Sequence, residues 1–297
     1  VVDFLTTDSH PCNKYKEVWK RLERPETQPR RIRRILTVDF TEFEEQILAQ
    51  KDSFVEETIS SFYAGDIFVL KNVFSDKFML DYRRDLHEYG LKVPPSFHKM
   101  LEGCPNFHRI IDQKIAAEQK YSFDAIKHSY YFFPWNKDSL GRIEIVYEKW
   151  RPLKFLGGHR FDEYEKNTPK DEIVDRLQIA HYPLGAGCLE LHSDPYLFHR
   201  IIVSGIMSQR GTDFETGGVY FLDAKNKKVD LEAHLEVGDI YLSYPTIFHG
   251  VDTVDEGKPV DWQSIRGRWW LGVFTSASDH VQNRHTGYRV LDVKISG

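Results

Sequence analysis

From about residue 175 to about 276 the chain repeats one pattern. Short runs rich in β-branched and aromatic residues are separated by Gly, Asp and Pro. The runs at 177–183, 187–192, 201–208, 217–222, 238–244, 247–254 and 267–275 read as strands. Short strands at this spacing predict a sandwich or barrel.

The first half patterns differently. Residues 1–60 read as mainly helical and polar, with Thr41-Glu42-Phe43-Glu44-Glu45-Gln46-Ile47-Leu48 suiting an amphipathic helix with acids in its first turn. The stretch from Ala64 to Phe74 predicts a strand. Ser75-Asp76 then reads as an N-cap, leading into helical spacing over Phe78–Leu86. Pro94-Pro95 and Gly103-Cys104-Pro105 punctuate the next stretch, and Ser129-Tyr130-Tyr131-Phe132-Phe133 predicts a second strand ended by Pro134. No repeat, low-complexity segment or flexible linker divides the chain. The expectation is one domain over 1–297: a mostly helical part with a few strands (1–174), packed on a β core (175–280), and a C-terminal tail (281–297).

Composition narrows the function. Aromatic residues make up 14% of the chain, too many for a disordered one. A net charge of −5 argues against a nucleic-acid surface. The local exception, Arg30-Arg31-Ile32-Arg33-Arg34, reads as a solvated or carboxylate-paired surface run. Cys12, Cys104 and Cys188 are odd in number and widely spaced, so neither a disulfide framework nor a cysteine zinc site is expected. No apolar run approaches the ~20 residues of a membrane span. Val1-Val2-Asp3-Phe4 lacks the basic start and apolar core of a signal peptide. A cytoplasmic protein with no membrane partner is expected.

Candidate chemistry begins at His192-Ser193-Asp194. Residues two apart on a strand share a face, so His192 and Asp194 can reach one ion together. Alone the pair says little: with 13 histidines, about one His-x-Asp arises by chance. A second histidine, His249, sits in the otherwise apolar run Thr246-Ile247-Phe248-His249-Gly250-Val251 of the same β region. Two histidines and a carboxylate form the facial set that leaves three positions open on Fe(II). Zinc accepts the same donors, so ligand types alone leave the metal open.

The surroundings add to this. They run from His181-Tyr182-Pro183-Leu184-Gly185-Ala186-Gly187-Cys188-Leu189-Glu190-Leu191 into the ligand pair, then through Thr216-Gly217-Gly218-Val219-Tyr220-Phe221. Glu236-Val237-Gly238-Asp239-Ile240-Tyr241-Leu242, Phe248-His249-Gly250-Val251-Asp252-Thr253-Val254 and Gly267-Arg268-Trp269-Trp270-Leu271 complete the series. In order and spacing these stretches, about a third of the chain, resemble the 2-oxoglutarate/Fe(II)-dependent oxygenase superfamily, in particular its prolyl-4-hydroxylase-like branch. The resemblance implies a mainly β double-stranded β-helix (jelly-roll) core with N-terminal helices packed on it. It also implies iron on His192, Asp194 and His249. Gly217-Gly218 and Gly238-Asp239 are expected to serve turns of that framework.

The same resemblance implies 2-oxoglutarate as cosubstrate, whose distal carboxylate needs a fixed cation deep in the barrel. Arg suits this because its planar fork binds a carboxylate through two hydrogen bonds. The family pattern puts the basic residue shortly after a glycine beyond the distal histidine. Here Gly257 is followed by Lys258 and Pro259, and an inserted loop through Ser264 delays the strand. Arg268 is the first candidate; Arg266, of the same parity, and Lys258 are the others. Tyr182 is a second candidate anchor, through its phenol.

The implied activity is that of a dioxygenase: it uses O2, releases succinate and CO2, and hydroxylates a small molecule such as an amino-acid derivative or natural-product intermediate. Desaturation and ring closure remain open; the carboxylate of Asp194 disfavours halogenation. Alternatives are a peptidyl hydroxylase, a nucleic-acid demethylase, or a jelly-roll metal-binding or sensing protein without 2-oxoglutarate. The oligomeric state is open. Pro195-Tyr196-Leu197-Phe198-His199-Arg200 is expected to border the mouth. Tyr130, Tyr131, Trp135 and the Gly157-Gly158-His159-Arg160 stretch are further candidates there. Arg160, Arg200 or Arg210 would meet a substrate carboxylate. His181, His199, His234 and His280 are expected to be non-ligands.

Overall fold

The computed structural model describes residues 12–118, 124–196 and 198–296; Val1-Val2-Asp3-Phe4 and Leu197 lie outside them. Helix α1 (Lys14–Leu22) starts at Asn13, whose side chain accepts from the Lys16 amide. Strand β1 (Arg34–Asp39) runs directly into α2 (Phe40–Ala49), where Asp39 accepts from the amides of Thr41 and Glu42. Such caps satisfy amides that have no partner inside the helix. Helix α3 (Asp52–Tyr63) and strand β2 (Asp66–Lys71) follow. Helix α4 (Asp76–Lys92) begins at the predicted cap Ser75 and buries Met79, Tyr82 and Leu86 along one face. Strand β3 (Phe107–Ile111), α5 (Gln113–Glu118), β4 (Ala125–Phe132) and α6 (Ile143–Leu156) complete the first half.

Strands then dominate. They are β5 (Ile173–Pro183), β6 (Cys188–Ser193), β7 (Ile202–Ile206), β8 (Gly218–Leu222) and β9 (Lys228–Asp230). After a single helical turn at Glu232–His234 come β10 (Ile240–Ser243), β11 (His249–Asp252), β12 (Gly267–Ala277) and β13 (Tyr288–Arg289). Each strand predicted between residues 175 and 276 forms, and the short β9 adds to them.

The hydrogen-bonded order is β1-β2-β10-β7-β12-β5-β4-β6-β11-β8-β9, with β3 beside β4 and β13 beside β6. Strands β10, β7, β12 and β5 make one wall, and β6, β11, β8 and β9 make the other. Apart from the β8–β9 hairpin, sequence neighbours from β5 to β12 fall in opposite walls, which winds the chain into a double-stranded β-helix. Strands β5 and β12 pair antiparallel from Gly267 opposite Pro183 to Ala277 opposite Ile173, forming the spine of the first wall. Strand β4 bridges the walls, pairing with β5 over His128–Phe132 and with β6 at Ala125 and Ile126.

The first half departs from its helical reading at β1. This strand pairs parallel with β2 and so extends the first wall. Arg33 and Arg34, from the arginine run, both reach the buried carboxylate of Asp66 at the start of β2, at 2.6 and 3.1 Å. Arg31 instead hydrogen-bonds Asn226 and lies over the Phe248 ring. The helices cover the outer face of the first wall, and Trp19, Phe62, Trp150 and Trp269 share one apolar core there. Among the described residues no helix is long and apolar enough to cross a membrane.

Candidate active site

Strands β6 and β11 lie side by side in register His249 opposite His192, with a bulge between His249 and Val251. That register brings the two imidazoles together, their ring centroids 4.3 Å apart. Asp194, just past the end of β6, is fixed by its amide donating to the Pro245 carbonyl at 2.9 Å. Asp194 Oδ1 is then 3.9 Å from His192 Nε2, and its Oδ2 is 3.5 Å from His249 Nε2. One donor atom from each residue lies within 4.8 Å of the others, close enough for a single ion.

The imidazoles are set up as ligands. Nδ1 of His192 lies 2.8 Å from the Glu190 carbonyl, and Nδ1 of His249 lies 2.9 Å from that of Ile247. A carbonyl only accepts, so each Nδ1 carries the proton and each Nε2 is the basic nitrogen. Burial, with His249 next to it, holds His192 well below the usual histidine range, so the ring is neutral. Burial pushes the Asp194 carboxyl up, against the pull of His249 and Lys127. A buried carboxylate between two imidazoles that each turn Nε2 away from the backbone carbonyl fits a divalent cation.

These three residues line a cavity of about 170 Å³ that lies between the two walls. Tyr182, Ser204, Tyr241 and Arg268 line it too. Arg268 stands opposite Tyr182 on the β5–β12 spine, and its guanidinium lies 5.7 Å from the Tyr182 ring centroid. Its side chain is 1% exposed, and Nε donates to Glu232 Oε2 at 2.8 Å. Nη2 is buried without a hydrogen-bond partner among the described residues. Burial opposes its charge, but Glu232, Tyr241 and Tyr182 outweigh that and keep it protonated. A buried donor of this kind beside a cavity calls for an acceptor, and a carboxylate supplies one.

Glu232 was not evident as a site residue in the sequence. It sits on the turn after β9, and Oε2 also accepts from the Val219 amide at 2.8 Å. Gly218 has φ +112, and a Cβ there would stand 2.7 Å from Glu232 Oε2. The second glycine of the pair therefore keeps open the space through which Glu232 reaches Arg268.

Other candidates fall elsewhere. Arg266 is exposed, and its backbone alone is engaged: the amide donates to Ser264 Oγ and the carbonyl meets His181. Lys258 pairs with Asp255 at 2.9 Å, outside the cavity. The expected substrate arginines are spent on other partners: Arg200 on Glu23, Arg210 on Asp230, and exposed Arg160 beside Asp162. None of them lines the cavity. Tyr131 does line it, whereas Tyr130 packs in the core against His128 and Trp269, and Trp135 stacks on Phe133. Phe198, His199 and Arg200 border a separate, smaller space together with Gly157 and His159. His181 stacks on Trp269 and His280 pairs with Glu102; with His199 and His234 they stand outside the three-residue group.

Two cations in the cavity wall were missed. Lys127 on β4 and Arg176 on β5 lie just before the predicted starts of those strands, Ser129 and Leu177. Both share the inward parity of residues recognised further along, Tyr131 and Tyr182. Carrying the two-residue alternation backwards would have found them.

No protein-family model and no curated protein matches the sequence. Several solved structures are similar in fold. T7H of Neurospora crassa, in complex with alpha-KG and thymine, is 14% identical; 81% of this chain and 85% of that chain are covered, at a TM-score of 0.47. JOX2, in complex with 2OG, Fe and JA, is 12% identical over 89% of this chain and 85% of that one, at 0.44. A Pseudomonas putida prolyl-4-hydroxylase is 10% identical over 70% and 91%, at 0.39.

Proposed function

We propose that this protein is an Fe(II)/2-oxoglutarate-dependent oxygenase that hydroxylates a small molecule. One observation carries the reading: a buried His-Asp-His group and a buried arginine with an unpartnered donor share one cavity. His192, Asp194 and His249 would hold the metal, and Arg268 the distal carboxylate of 2-oxoglutarate. When bound, the two cofactors supply the oxidation: O2 is consumed, 2-oxoglutarate becomes succinate and CO2, and one oxygen atom enters a C–H bond of the substrate.

The chain's own residues supply geometry. The Glu190 and Ile247 carbonyls fix the tautomer and direction of each imidazole. Asp194 keeps a carboxylate at the third protein position, where a halide would otherwise bind. Glu232 holds the Arg268 fork through Nε, and Nη2 is left without a partner among the described residues. Leu189, Val219, Val251 and Trp270 give the cavity apolar walls that limit water around the reacting atoms.

The test is succinate formation from 2-oxoglutarate with Fe(II), alongside the Fe(II) stoichiometry of the purified protein. Both should be present in the wild type and lost in Asp194→Ala and His249→Ala. Succinate production that persists in both variants overturns the assignment.

A further inference from the structure

Lys and Arg seldom go inside a protein unless they are paired. Yet Lys127 and Arg176, each half-buried, both line the cavity, and neither has a carboxylate within ion-pair distance among the described residues. Arg176 Nε is buried without a hydrogen-bond partner, and its guanidinium is braced 5.5 Å from the Tyr131 ring centroid. Gln178, one inward position along β5, adds an amide to the same wall. Around these polar groups the lining is apolar: Ile111, Trp270 and Phe274.

Position separates this cluster from the Arg268 anchor. On the β5–β12 spine Arg268 faces Tyr182, whereas Arg176 faces Phe274. The Cα atoms of the two arginines are therefore roughly 20 Å apart along the strands. A five-carbon diacid chelating a metal and reaching Arg268 leaves Arg176 unmet.

Charge balance leads to the same point. Two carboxylates, Asp194 and Glu232, stand against three cations, Lys127, Arg176 and Arg268, in or directly behind the cavity wall. On the oxygenase reading, which this step rests on, the two charges of Fe(II) are met by the two of 2-oxoglutarate. One positive charge is left on the cavity wall with no carboxylate to meet it. Burial, with Arg176 nearby, already pushes the Lys127 ammonium down to about 8, and Arg109 adds to the same sign.

We infer that the substrate is a small organic acid whose carboxylate is held by Arg176, with Lys127 next to it, and whose apolar body packs on Ile111, Trp270 and Phe274. The guanidinium fork and the Gln178 amide match a planar carboxylate. The apolar wall then directs the attached carbon chain towards His192, Asp194 and His249.

The experiment is calorimetric titration of anaerobic protein loaded with Fe(II) and saturating 2-oxoglutarate, so that Arg268 is occupied. The probes are hexanoate, benzoate and phenylacetate, each beside its primary amide. At least one acid should bind at least about tenfold more tightly than its amide, a difference of about 1.4 kcal/mol. Arg176→Gln should remove that preference while leaving 2-oxoglutarate affinity within about twofold. Lys127→Met should weaken the same acid, and it decides the matter if Arg176→Gln does not fold. Equal binding of every acid and amide, or an unchanged preference in the variants, overturns the inference. So does a loss of 2-oxoglutarate affinity as large as that of the acid, which would make these residues part of the cosubstrate site. Acid binding that depends on Arg176 in a wild type forming no succinate would leave the anion site standing and overturn the oxygenase reading alone.

Discussion

Arg268 Nε and Glu232 Oε2 lie 2.8 Å apart, with side chains 1% and 2% exposed. The pair ties the cavity wall on β12 to the turn after β9, and through the Val219 amide to β8. Removing one partner of such a pair leaves a buried charge uncompensated, at a cost of about 3–5 kcal/mol. Glu232→Gln keeps the shape and removes the charge. Its chemical-denaturation stability should fall by that order, and the KM for 2-oxoglutarate should rise because the Arg268 fork is no longer held. Arg268→Lys, which keeps the charge and loses the fork, should raise the same KM by about tenfold or more. Equal stability and equal KM in Glu232→Gln would remove Glu232 from the anchor.

Metal binding should be visible as stability. A ligand that binds only the folded chain at a hundred times its Kd adds about 2.7 kcal/mol. For a chain of this size each kcal/mol moves the melting midpoint by roughly 2–4 °C. Chelator-treated protein given Fe(II) anaerobically should therefore melt several degrees higher. Asp194→Asn should reverse the order. It removes a buried carboxylate and should match or exceed the wild type when both are chelated, but it should gain nothing from Fe(II). Paired thermal melts check both halves, and a wild type indifferent to Fe(II) would count against the trio as a metal site.

That His192, Asp194 and His249 meet is legible in the sequence because strands carry a strict two-residue period. His192 and Asp194 share a face by parity, and the glycine-marked turns leave few ways to align the later strands. Arg268 follows from the same parity once the inserted loop is allowed for. Lys127 and Arg176 were missed because each lies just ahead of the start read for its strand, Ser129 and Leu177, whereas the strands begin at Ala125 and Ile173. Glu232 depends on a tertiary contact: nothing local connects a glutamate on a turn after β9 with an arginine on β12. Strand β1 was hidden for a similar reason. Its burial is only partial along its length, so its alternation is weak, and its place is set by parallel pairing with β2 and by Asp66.

Asp66 gives the last prediction. Its carboxylate is fully buried at the start of β2 and takes hydrogen bonds from Arg33 and Arg34. Burial raises its pKa, but the two arginines outweigh burial and hold it below the ordinary carboxylate range. A depressed carboxyl stabilises the fold above its unfolded pKa, about 3.9, and the contribution is lost as pH falls through the folded value. Both arginines are about half exposed, so solvent screening limits the effect to about 1–2 kcal/mol. Asp66→Asn should therefore be less stable than the wild type by that order at pH 7. The gap should narrow as pH falls below about 4, where the wild-type carboxyl takes up its proton. Urea titrations of both proteins across this range measure it directly. A gap that is constant with pH would mean that shape and hydrogen bonding at Asp66, and not its charge, hold β1 to β2.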